Sequence, residues 1–313
     1  MLAFQLARGE WAMKMLLVGV ALALGGTAAV AEAPPAPSEA APQAAVEALK
    51  QLSAEVQEIL VRENVHSMFD RTARLQELGL SYQPDLVAPA AIDPAWTRCQ
   101  QQQFAGIKLF DAVYAIAFQK RQETADAMRA LEEIITGLDL RSHADFSGRS
   151  YATLQKAAED PGAIDVQALL DELANNLADE IPVTMSSPVT AHFLMDSLYG
   201  FSIESAHVMG YFQRNDATGK LRAQLYEEPS QPGREPWMKM VLRAFAAFER
   251  QAAALGLECD APGKLDVVRS IAQVVEDEQA GRIPPETGAA IWNEIGEQIA
   301  AMRRSILRAG AGN

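Results

Sequence analysis

The chain has 313 residues, of which 49% are hydrophobic, 22% charged and 7% aromatic, so it can build a real core. Its formal net charge is −14, and no basic patch interleaved with aromatics interrupts that balance. Such a surface repels phosphate backbones, which sets nucleic-acid binding aside.

The first element is a secretory signal. Lys14 precedes the uncharged run Met15–Leu24, followed by Gly25, Gly26 and the small-residue triplet Ala29-Val30-Ala31. A positive flank, a short apolar run and an Ala-x-Ala site predict residues 1–31 as a signal peptide cleaved after Ala31. Its removal takes away Arg8, Glu10 and Lys14, a net +1, and leaves a mature chain near −15. The run is short for a membrane span, and nothing later reads as one. The expected product is exported and soluble, and periplasmic if the source has two membranes. Residues 32–43, rich in Pro and Ala, read as a disordered linker.

Residues 44–313 read as a single all-α, bundle-like domain of about ten helices. Val46, Leu49, Leu52, Val56, Ile59 and Leu60 make one apolar stripe. A second helix is expected over 66–79, ending at Gly79, followed by a loop over 81–92. Asp93-Pro94 predicts an N-cap and first helical residue for a helix running to about Lys120. Further helices are expected over 123–138, 150–158 and 164–181, the last stopped by Pro182. Ser187-Pro188 opens another to about Gln213. After an irregular stretch over 214–235 come helices over 237–255, 265–278 and 286–308. No segment alternates as a strand does.

Two of these helices share a pattern. Leu109-Phe110-Asp111-Ala112-Val113-Tyr114 and Leu194-Met195-Asp196-Ser197-Leu198-Tyr199 match at a constant offset, with Leu, Asp and Tyr identical. Both windows are apolar on nearly every side, which predicts two buried central helices related by an internal repeat. Small residues at 112, 115, 197 and 200 would let another helix approach closely. Asp111 and Asp196 would then be carboxylates in apolar surroundings, each with a tyrosine, Tyr114 or Tyr199, on the same side. They are candidate ligand-binding residues lining a central cavity. The bland alternative is that each only fixes the register of the core.

Other chemistry is sparse. There is no nucleophile elbow, phosphate loop, zincin motif or dinucleotide fingerprint, and no cofactor is identified. Of the four histidines, His192 lies four residues before Asp196, on one helix face, and Glu204 and His207 have the Glu-x-x-His spacing of carboxylate-bridged metal sites. Asp196, Glu204 and His207 are therefore the candidate metal ligands. Cys99 and Cys259 are the only cysteines, which in an oxidising compartment predicts one disulfide, worth about 5 kcal/mol for so long a loop. The leading reading is a non-enzymatic protein of the cell envelope that binds a small molecule or an envelope protein. The alternatives are a metal-binding protein or metal-dependent enzyme, and a purely structural envelope protein.

Overall fold

The computed structural model describes residues 40–60, 66, 69, 72, 74–159, 165–215, 237–255, scattered positions from 266 to 283, and 285–308. The signal segment 1–31, the irregular stretch 216–235 and Cys259 lie outside the described residues. Residues 42–313 form one unit. The described elements are α-helices with two short 3-10 turns, and no strand occurs among them. In chain order the helices are α1 (Ala40–Ile59), α2 (Arg98–Ala117), α3 (Arg121–Gly137), α4 (Arg149–Glu159), α5 (Val166–Thr184), α6 (Pro188–Arg214), α7 (Trp237–Leu255) and α8 (Pro285–Leu307).

The fold is an all-α bundle built around α2 and α6. Every residue of α2 from Gln102 to Ala117 except Leu109 is buried. Beyond its first turn this helix has no solvent face, as its apolar sequence predicts. It packs along α6, while α3 covers α2, α8 covers α6, and α4 pairs with α5.

The helix boundaries differ from the sequence expectation in three informative places. Helix α2 starts at Arg98, not Pro94. Asp93 instead folds into a turn, its Oδ1 accepting from the Ala95 N–H at 2.8 Å. The true N-cap is Thr97, whose hydroxyl accepts from the Gln100 N–H while the Gln100 side chain accepts from the Thr97 N–H. That reciprocal pair satisfies two orphan donors, whereas Pro94 offers only a favourable φ. Helix α5 runs through Pro182 to Thr184, because the proline sits exposed in the last turn, where few backbone bonds are left to break. Helix α1 begins at Ala40, four residues inside the segment expected to be linker.

The contact between α2 and α6 is set by glycine. A Cβ on Gly106 would lie 1.8 Å from the Ser197 carbonyl oxygen, and one on Gly200 would lie 1.8 Å from the Gln103 carbonyl oxygen. The two backbones therefore touch, and the Ser197 hydroxyl donates to the Gln102 carbonyl at 3.1 Å across the seam. Phe110 packs edge-on against Phe201, 5.3 Å between ring centres, further along the same seam.

Candidate functional site

Asp111 is buried, as expected, but its partner is not Tyr114. Lys108, one turn earlier on α2, donates to Asp111 Oδ2 at 2.8 Å, and both side chains are almost wholly buried. Lys108 also donates to the Ala88 carbonyl at 2.5 Å, and the Ala88 N–H donates back to Asp111 Oδ2 at 3.3 Å. The pair thus anchors the loop before α2. Asp111 Oδ1 has no partner among the described residues. Burial raises the Asp111 carboxyl above its ordinary range, with Lys108 pulling the other way. Tyr114 instead accepts from the Gln83 N–H at 3.0 Å and stacks on Tyr82, ring centres 4.9 Å apart. Burial pushes its hydroxyl up to about 12.

A second ion pair lies beside the first. Arg303, on α8, grips Glu204 of α6 with two bonds, Nε to Oε2 at 2.6 Å and Nη2 to Oε1 at 2.8 Å. Nη2 also donates to the Leu86 carbonyl at 2.9 Å. Burial and the nearby Asp111 charge push the Glu204 carboxyl up, and Arg303 opposes them. The four charges form one buried group that joins α2, α6, α8 and the 84–88 loop. Cutting one partner from such a group strands a charge, which is where its energetic leverage lies. Each bonded oxygen is already committed to protein donors, so this group holds the fold together.

Asp196 belongs to a different cluster. Its Oδ2 lies 3.0 Å from His192 Nε2, the same-face pair that the spacing predicts. Its Oδ1 accepts from the Gln103 side chain of α2 at 3.3 Å. Tyr199 packs edge-on against Phe245 of α7, and burial, then the Asp196 charge, raises its hydroxyl. The bonds described for Asp111, to Lys108 and Ala88, and for Asp196, to His192 and Gln103, involve different residues. Glu204 stands eight residues beyond Asp196 on α6, about 12 Å along the axis.

That spacing bears on the metal ligands expected from sequence. Asp196, Glu204 and His207 do not form a convergent set: Glu204 is held by Arg303, and Asp196 by His192 and Gln103. His207 Nδ1 is buried without a bonding partner among the described residues, and burial and then Arg303 depress its pKa to about 4, so it stays neutral. Among the described residues, the one group of three potential ligands within 4.8 Å of one another is Cys99, His192 and Asp196. No free cysteine occurs among them.

A cavity of about 120 Å³ opens among α2 to α6. Leu109, Ile135, Leu154, Leu177, Phe193 and Leu194 supply apolar wall, and none of Asp111, Tyr114, Asp196 or Tyr199 lines it. Its polar end is Glu180, whose carboxylate accepts from the Ser147 hydroxyl, the Arg149 N–H and the Ser150 hydroxyl. A carboxylate at the N-terminus of α4 satisfies that helix's orphan donors and its dipole together.

Comparison with protein-family models, with curated proteins and with solved structures returns no match. No described helix is long and apolar enough to cross a membrane.

The sequence reading missed Lys108, Gln103, Arg303 and Glu180. Lys108 was legible, because it stands three residues before Asp111 and a Lys–Asp pair at that spacing shares a face. Gln103, Arg303 and Glu180 reach their partners across long stretches of chain, and no local pattern marks such pairings.

Proposed function

We propose that this is an exported, soluble, non-enzymatic helical protein of the cell envelope that binds a small apolar molecule in the cavity among α2 to α6. The cavity carries this reading: its wall is mostly aliphatic and aromatic, and the Glu180 carboxylate in its lining is already bonded by Ser147 and Ser150. About 120 Å³ suits a ligand of a few heavy atoms, comparable with cavities that take up benzene. The Glu180 oxygens are already bonded to α4, so the ligand needs no charge of its own.

Export rests on the signal pattern over 1–31. The bridge between Cys99 and Cys259 is part of the same reading, since an oxidising compartment would form it.

Ligand-observed NMR with toluene tests the cavity. Saturation should transfer from the protein to toluene, and Leu109→Phe, which places a ring in the space, should abolish the transfer while leaving the helical signal unchanged. Equal transfer in the wild type and Leu109→Phe, or none in either, would refute the binding role.

A further inference from the structure

The cluster at the start of α2 differs from the other polar groups in composition. Cys99 is the second residue of α2, half-exposed, and it lies against His192 and Asp196 of α6, which are buried. One donor atom from each lies within 4.8 Å of the other two, and the His192–Asp196 pair is already at 3.0 Å. In a tetrahedral zinc site, with metal–sulfur bonds near 2.3 Å and metal–nitrogen bonds near 2.0 Å, neighbouring donors sit about 3.5 Å apart. The sulfur therefore needs to move by no more than about 1.3 Å, within reach of one side-chain rotation. Thiolate, imidazole and carboxylate together suit zinc better than magnesium or calcium. The first turn of a helix also favours the thiolate form of cysteine.

We propose that the reduced protein binds a divalent cation of the zinc class through Cys99, His192 and Asp196, and that a Cys99–Cys259 disulfide switches this site off. A sulfur committed to a disulfide has no thiolate to give. Reduction by a dithiol breaks the S–S bond with two electrons and two protons, leaving a thiol on each cysteine and a disulfide on the reductant. On metal binding the Cys99 thiol loses its proton to solvent and its sulfur bonds the metal, which replaces the direct His192–Asp196 contact. Three protein donors leave a fourth position open to water. Cys99 is half-exposed, so the cation enters from the N-terminal end of α2.

Cobalt(II) is the probe, because a cobalt–thiolate bond gives a charge-transfer band that carboxylate and imidazole ligation alone do not. Full-length mature protein carrying Cys259→Ser, which frees Cys99 without any reductant, should take up one cobalt with that band, and zinc should displace it. Adding Cys99→Ser should remove the band, and adding His192→Gln should weaken binding at least about tenfold. Oxidised wild type should show no band until a phosphine reductant is added. Absence of the band in both folded Cys259→Ser and reduced wild type would overturn the site. A band in oxidised wild type would overturn the switch. Neither result bears on toluene in the cavity, so this site and the proposed function fail separately.

Discussion

Gly200→Ala is the sharpest test of the α2–α6 seam. The added methyl would sit 1.8 Å from the Gln103 carbonyl oxygen, and real contacts of this kind do not fall below 3.0 Å. The helices must separate there by at least about 1.2 Å. The obstacle is helical backbone, which cannot rotate aside as a side chain can. A gap of that size forfeits about half of the dispersion energy along the faces it opens. Ordinary overpacking costs about 1–3 kcal/mol, and a backbone clash in a fully buried seam belongs at or above the top of that range. Replacing Gly by Ala in a helix returns about 1 kcal/mol. The net expectation is a loss of at least about 2 kcal/mol, a large fraction of the 5–15 kcal/mol that holds a typical domain together. Gly106→Ala should behave alike, since its methyl would meet the Ser197 carbonyl oxygen at the same distance. The double variant should lose less than the sum, because helices already separated by one methyl have room for the second. Gly137→Ala is the control, with nothing within 4 Å of the added carbon. Urea unfolding followed by helical circular dichroism measures all four. A Gly200→Ala protein within 0.5 kcal/mol of wild type would refute the close approach and the register built on it.

Two more predictions concern the buried charges. Lys108→Met should cost about 3–5 kcal/mol at pH 8, because it leaves the Asp111 carboxylate buried without its cation. The loss should shrink at pH 5, where a carboxyl already raised by burial escapes by taking up a proton; urea unfolding free energies that differ by less than about 1 kcal/mol at pH 8 would contradict the pairing. His207 is held neutral by burial and by Arg303, Arg214 and Arg304, with its pKa depressed from 6.5 to about 4. A depressed pKa adds stability that is complete above 6.5 and disappears as pH falls toward 4, because there the unfolded chain takes a proton that the folded one refuses. The difference in unfolding free energy between wild type and His207→Gln should therefore fall by about 2–3 kcal/mol between pH 7 and pH 4. A flat difference would mean that His207 titrates as it does in water.

Why the fold was legible and the site only partly so can be seen at the two central helices. Burial of an entire helix is written in its own sequence, because an element without a polar face must be covered on all sides. Pairing is not written there. The sequence repeat aligns Asp111 with Asp196, an offset of 85 positions, and so suggests two equivalent carboxylates. The structure aligns the helices differently: Gly106 meets Ser197, Gly200 meets Gln103, and Phe110 meets Phe201. In that register the residue beside Asp111 is Glu204, and the residue bonded to Asp196 is Gln103. What fixes the register is the pair of positions where a missing Cβ lets backbone touch backbone, a steric condition that residue similarity does not report. The consequence is chemical. Sliding by about nine residues, or about 13 Å of helix, moves the two aspartates from one shared centre into two separate ones. Asp111 joins a neutralised quartet with Lys108, Glu204 and Arg303. Asp196 is left with His192 and Gln103, close to the partly exposed Cys99. The same two glycines that hold the core therefore place the two carboxylates in separate surroundings.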